Sequence, residues 1–506
     1  MARKGSPKVR TGCKTCKVRK VKCDEGKPHC KRCTSTGRQC DGYVTVSTAE
    51  ESALIWHRPR YMFPNVNDPS EKRSLRFFCD IAAPGLSGPM DPYFWTHLVM
   101  QFSTFEPAVR HSLVAVGALV EQVYFNPSVA ALMPDDKLVL NHYNAAIRHL
   151  SSMENEALVL LVCILFICIE FLRGNRDAAV RHCQHGITIL KRVERSFPWT
   201  KEYLSPLFHR LSIFPFFFMA EERDTLQIAG LDERIPHSFD GIYQAMSHLD
   251  PVVGRTMRLV RHSDMYRYAD TDKIPETINP DLQTEQDETR AHLEEWYAKF
   301  SAFLAGPKNV EVPAVQICYT LLRYNVSRIW IEAVFSADEM VYDTHIDTFR
   351  SLIDLAESIP EGSLAPQSSN FIFEAAFCPL LYWLIMKCRC LETRLRALVL
   401  MPKLCAPREN FWDRVTMTLM ARRIIELEHG CTLAADGSAM LVGDPPLYPG
   451  LPPVEKRMLE SSSDPDTHMQ VIDGQKKSGR LIGFYMRDGE GKVSIEYEFV
   501  LEPVRT

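Results

Sequence analysis

Six cysteines fall within 28 residues, Cys13, Cys16, Cys23, Cys30, Cys33 and Cys40, as the spacing C-x2-C-x6-C repeated with an offset of 17. A C-x2-C pair puts two thiolates on one turn, at a spacing suited to a tetrahedral zinc ion. Three thiolates per half leave each ion one ligand short. Two zincs need about eight ligand positions, so two of the six sulfurs must each serve both metals. Cys13 and Cys30, first in each half, are placed symmetrically to bridge. Two other readings use the same cysteines less well. A single zinc on four thiolates leaves two spare, and a three-disulfide knot needs an oxidising compartment. The opening stretch 1–10 is charged and lacks the apolar run of an export signal, so the thiols are expected to stay reduced. A segment this short cannot bury an adequate apolar core, so metal must supply much of its folding free energy.

The same segment concentrates positive charge. Residues 1–43 hold 13 Lys and Arg against three acids, a net +10, while the rest of the chain carries −14 of the overall −4. Six thiolates and two Zn²⁺ sum to about −2, so the metal-loaded head stays cationic and calls for a polyanionic partner. The two halves differ. Lys14, Lys17, Arg19, Lys20 and Lys22 lie between Cys13 and Cys23, against only Lys31, Arg32 and Arg38 between Cys30 and Cys40. The first half is therefore the better reader of duplex DNA. A short helix starting near Cys13 would carry Lys17, Arg19 and Lys20 toward its exposed end, where long cations reach guanine O6 and N7 while neighbours hold phosphates. The plainer use of such charge is nuclear import or non-specific RNA contact; attachment to a rigid metal core is what favours the first reading.

The stretch Gly12–Cys40, GCKTCKVRKVKCDEGKPHCKRCTSTGRQC, resembles the fungal zinc binuclear cluster (C6 zinc) family of transcription factors. The resemblance implies two short helices around paired zincs, with the first helix docked in the major groove on CGG-type triplets. By position, Lys20 matches the family's principal base-contacting lysine, with Arg19 beside it, and Pro28 matches the proline of the loop joining the halves. The family often has lysine where this chain has Arg19, and an arginine can bond a guanine bidentately.

The elements that must carry this head follow from composition and periodicity. A length of 506 residues, 46% hydrophobic and 24% charged, suits two to four soluble domains and excludes wholesale disorder or a polytopic membrane protein. Residues 44–70, with Pro59, Pro64 and Pro69, read as a linker without coiled-coil heptads, so any homodimer must come from the body. From residue 71 to 506 the pattern is mostly helical. Val109, Leu113, Val116, Val120 and Val123 form one stripe in 106–123, and Ala157–Ile169, at 13 residues too short to span a membrane, reads as a central buried helix over 155–173. Asn175 is placed to cap a helix over 176–195. Further helices are expected near 203–221, 291–305, 312–335, 371–399 and 409–429, with loops near 263–290 and 432–470. At the end, 481–487 and 493–501 flank a glycine-containing turn, and Val493, Ile495, Tyr497, Phe499 and Leu501 alternate with polar residues, which predicts a β-hairpin with one buried face. The body also resembles the helical fungal-specific transcription factor regulatory domain, in stretches 74–88, 94–122 and 160–190. That implies regulation and contact with co-regulators or the transcription machinery.

No motif of catalysis is present: His-Glu-x-x-His, G-x4-G-K-[ST] and G-x-S-x-G are all absent. His182, Cys183 and His185 within one turn, and Cys388 with Cys390, are better read as solvated histidines and packed thiols than as metal sites. A metal-dependent enzyme is disfavoured because six thiolates saturate both ions. The expectation is thus a small metal-stapled zinc binuclear cluster domain (1–43), a linker, and a large mostly α-helical domain with a C-terminal β-hairpin. Its expected work is nuclear: zinc-dependent, sequence-specific DNA binding that regulates RNA polymerase II genes, as a pathway- or gene-cluster-specific activator. The alternative is a zinc-stabilised scaffold that binds nucleic acid without sequence preference. A small-molecule effector in the body is compatible with its architecture.

Overall fold

The computed structural model describes residues 12–41, 63, 66–125, 136–193, 196–218, 234–306, 312–360, 362–363, 370–464, 468–472 and 475–501. The chain divides into two compact units, Met1–Met62 and Phe63–Thr506. Most of the expected linker, 44–62, lies outside the described residues. Its last residues belong to the body, because Asp68 accepts from the N–H groups of Ser70 and Glu71 and starts a helix at Pro69, two residues before the expected boundary.

The first unit holds two short helices, α1 (Lys14–Val18) and α2 (Lys31–Thr34), packed on a core made almost wholly of cysteines. The second is built around two apolar cores. In the first core, the Glu156–Arg173 helix is buried on every side from Ala157 to Leu172 except at Val159. Asn155 caps its start, accepting from Ala157 N at 3.1 Å, and Gly174, at φ 73°, ends it. The helices Pro107–Phe125 and Arg176–Val193 pack against it; in the former the predicted stripe from Val109 to Val123 is buried throughout. Asn175 accepts from Ala178 N at 3.2 Å, the cap expected for the latter. The second core gathers the helices Ile242–His262, Ala314–Glu332, Phe377–Lys387 and Arg414–His429, among others. A buried ionic network joins the two cores: Arg210 pairs with Asp250 at 2.6 Å and with Glu374, and Asp250 also holds Arg323 at 2.6 Å.

Several expected elements differ. The helix expected over 371–399 starts at Phe377 and breaks at Cys388–Cys390 before resuming over Leu391–Leu404. The break places buried Lys387 and Arg389 on Glu339, at 2.9 and 2.8 Å, contacts that no local pattern encodes. The one expected over 409–429 starts at Arg414, because β1 (Arg408–Glu409) and β2 (Trp412–Asp413) form a small hairpin first. Instead of one helix over 203–221 the described residues form Pro198–Tyr203, Ser205–Leu211 and Phe214–Phe218, and 219–221 lie outside the described residues. Within 263–290, expected as loop, lie the turn Asp264–Arg267 and the start of the Pro280–Ala305 helix, capped by Asn279.

The largest correction is at the C-terminal end. The predicted hairpin exists, β7 (Gln475–Arg487) and β8 (Val493–Leu501) pairing from Arg487↔Val493 to Gly479↔Leu501. The region 432–470, expected as loop, supplies β3 (Thr432–Leu433), β4 (Leu441–Val442), β5 (Met458–Ser463) and part of β6 (His468–Ile472). β5 and β6 pair with β7 on the edge opposite β8, giving a four-stranded antiparallel sheet. The serine-rich β5 has no strand signal of its own and is ordered by its partner. The alternating face of β8 is not buried either: Ile495, Tyr497 and Leu501 are 41%, 62% and 39% exposed. The face that meets the body carries Ile482 and Phe484 of β7, which pair with Glu498 and Glu496. Alternation fixes which side chains share a face; it does not say which face is covered.

Candidate metal centre and nucleic-acid interface

The centre is built from two matching half-motifs. Cys13 sits just before α1 and its sulfur accepts from Cys16 N at 3.4 Å; Cys30 sits just before α2 in the same place. Cys16 and Cys33 lie inside the two helices and are buried. The halves then brace each other. Asp24, directly after Cys23, accepts from Arg32 N at 2.8 Å and Lys31 N at 3.0 Å at the start of α2. Asp41, directly after Cys40, accepts from the Thr15 hydroxyl at 2.8 Å on α1, and its own N–H donates back to that oxygen at 3.0 Å. The Arg32 N–H holds the Asp24 carboxyl below the ordinary carboxylate range. These two aspartates escaped the sequence reading, yet the offset of 17 that relates the cysteines also relates Asp24 to Asp41.

The sulfurs form two groups of four, Cys13, Cys16, Cys23 and Cys30, and Cys13, Cys30, Cys33 and Cys40, each with its ligand atoms within 4.8 Å of one another. Cys13 and Cys30 belong to both, the sharing that ligand arithmetic requires. Their sulfurs are 3.6 Å apart, with Cys13–Cys33 at 3.8 Å and Cys16–Cys30 at 3.7 Å. A zinc–sulfur bond of about 2.3 Å gives a tetrahedron with edges of about 3.8 Å, so the donor set fits zinc without rearrangement. Burial pushes the Cys13 thiol up to about 12 and raises those of Cys16 and Cys30. Metal must displace the protons of these three buried thiols, which ties folding to metal uptake. Cysteine ligation of zinc is thus what the centre is built for, and it is a binuclear zinc cluster. Among the described residues no other group of three or more metal-ligating side chains comes together. His182 instead bonds the Tyr143 hydroxyl at 3.2 Å, and Cys183 is buried in the first core.

The five cations singled out in the first half are on the surface of this unit in graded fashion. Lys14 and Lys17 are exposed on α1, Lys20 and Lys22 are exposed beyond it, and Arg19, at the helix end, is half-buried. The helix stops at Val18, earlier than expected, because Lys20 adopts a left-handed backbone at φ 57° and turns the chain back toward Cys23. Val18 between them is fully presented to solvent, an aliphatic side chain amid cations. The body contributes a cavity of about 640 Å³ whose lining includes Tyr93, Tyr203, Tyr243, His209, Arg210 and Arg255. Among the described residues no helix is long and apolar enough to cross a membrane.

Residues 11–48 match the fungal Zn(2)-Cys(6) binuclear cluster domain. The aspercryptin biosynthesis cluster-specific transcription regulator atnN of Emericella nidulans is 26% identical over 69% of this chain and 64% of its own length. The transcription regulator lscL of Purpureocillium lilacinum is 29% identical over 34% of this chain and 47% of its own. The transcriptional regulatory protein moc3 of Schizosaccharomyces pombe is 56% identical over 47 residues, 9% of either chain. The chain thus spans less than two thirds of the length of these relatives. No solved structure matches it.

Proposed function

We propose that this protein is a zinc-dependent, sequence-specific DNA-binding regulator of transcription that acts in the nucleus on RNA polymerase II genes. The observation that carries the reading is a pair of cysteine tetrads sharing Cys13 and Cys30, with four exposed lysines rigidly attached to them. Cys16 and Cys23 complete one zinc site, Cys33 and Cys40 the other. Bound zinc supplies the cross-link that holds α1 and α2 together. The chain's own residues then do the reading. Lys14, Lys17 and Lys22 neutralise phosphates and release counterions, which gives affinity that falls with salt. Lys20, with Arg19 beside it, reaches base edges of CGG-like triplets in the major groove. The similarity to a regulator described as specific to one biosynthetic cluster supports control of a particular gene set; the sense of that control is proposed as activation. The helical body supplies regulation and contacts to co-regulators, and the cavity offers room for a small-molecule effector.

The deciding experiment is selection of bound duplexes from random DNA, by zinc-loaded protein and by the chelated protein in parallel. The expected result is enrichment of CGG-containing sites with zinc and none without. Binding by zinc-loaded protein without enrichment of any sequence would leave only the non-specific scaffold.

A further inference from the structure

We infer that the exposed edge of β8 is a docking site for an extended segment of another protein, one that alternates apolar and basic side chains and adds to the sheet as a fifth strand. Among the described residues β8 pairs only with β7, so beyond Val493, whose N–H donates to Asp270 at 2.9 Å, its other edge presents backbone N–H and C=O groups along 495–501. The face it shows to solvent is apolar and continuous: Val493, Ile495, Tyr497, Phe499 and Leu501. These side chains are not loosely splayed. A methyl at Gly479 would meet the Phe499 ring at 2.5 Å and one at Gly483 would meet Tyr497 at 3.0 Å, so both rings lie flat across β7 and form a firm platform. The hairpin turn is fastened to the body, Thr271 N donating to Gly491 O at 2.9 Å and Arg487 donating to Ala269 O at 2.7 Å, so the edge is held in place.

Charge decides between occupants. β8 contains no cation and two acids; Glu498 is held by Arg423 at 2.8 Å, whereas Glu496 is exposed and makes no ion pair among the described residues. Full-length antiparallel pairing with a second copy would centre on Tyr497 and set Glu496 against the other copy's Glu498, a like-charge pair directly across the strands. A foreign strand with apolar residues over Ile495 and Tyr497 and a lysine or arginine opposite Glu496 meets no such conflict.

The test uses full-length, zinc-loaded protein and a fluorescent nine-residue peptide alternating isoleucine with lysine, followed by anisotropy. Saturable binding is expected, weakened at least tenfold by Glu496→Lys and by Tyr497→Asp. The Glu496→Lys protein should instead gain binding of an isoleucine–glutamate peptide, a switch that misfolding does not produce. Equal binding of a shuffled peptide of the same composition would show attraction to the acidic body alone and overturn the inference. So would unchanged binding by Glu496→Lys, or concentration-dependent dimers in sedimentation that the peptide fails to dissociate.

Discussion

Lys20 carries two burdens at once, since it is the candidate base reader and it holds a backbone conformation that costs a non-glycine residue on the order of 1 kcal/mol. The two can be separated. Lys20→Ala removes the ammonium and keeps the strain, while Lys20→Gly removes both. In competition binding both variants should lose about 1–3 kcal/mol of preference for CGG-containing over scrambled duplex. In a chelator titration the glycine variant should hold zinc at least as well as the native chain. The bridging cysteines give a second prediction at this scale. Cys13→Ala removes a ligand from both tetrads, Cys40→Ala from one. Native mass spectrometry should find the first variant losing both zincs and the second retaining one.

At the scale of elements, a tight joint of the body is where the Pro69–Phe77 helix crosses the Pro107–Phe125 helix. An added methyl at Gly117 would lie 2.3 Å from the Ser74 carbonyl oxygen, a backbone atom that cannot swing aside. Gly117→Ala should therefore destabilise the body by about 1–3 kcal/mol, read from a denaturant midpoint by tryptophan fluorescence, although alanine is the better helix former. Six of the seven tryptophans lie in the body and none in the zinc head, so that signal reports chiefly the body. Helices of this core were legible because their faces are written in 3- and 4-residue spacings. The sheet was not: Ser461–Ser463 become strand only by pairing with 482–484.

At the scale of the molecule, charge is both cross-link and vulnerability. Arg210→Ala would leave Asp250 and Glu374, both buried, without their shared partner; a loss of about 3–5 kcal/mol and a lower Tm are expected. Acid acts elsewhere. Burial holds His111, His182 and His429 at about 4. Each binds its proton more readily when unfolded, so stability falls as pH drops from about 6.5 toward 4. Burial raises the Glu409 carboxyl to about 7, which acts in the opposite sense, since the folded state takes up that proton first and stability falls as pH rises through the window to about 7. Burial also lowers His142 and His345 and raises Glu374, so the lowered histidines outnumber the raised carboxyls and acidification is destabilising. The Tm of the body should fall between pH 6.5 and 5, and His429→Gln should flatten that slope.

The metal centre was fixed by primary structure, because ligand type, count and spacing obey local chemistry: six thiolates at C-x2-C-x6-C, twice, leave two tetrahedra no choice but to share, and Cys13 and Cys30 are the shared pair. The helices of the first core were fixed likewise, by periodicity. What tertiary structure alone decided was pairing between distant groups. It set the cap of Asp24 on α2 and the bond of Asp41 to Thr15, the break at Cys388–Cys390 that delivers Lys387 and Arg389 to Glu339, and the side of β8 that faces water. A local pattern constrains which side chains travel together; only a partner from elsewhere in the chain determines what they meet.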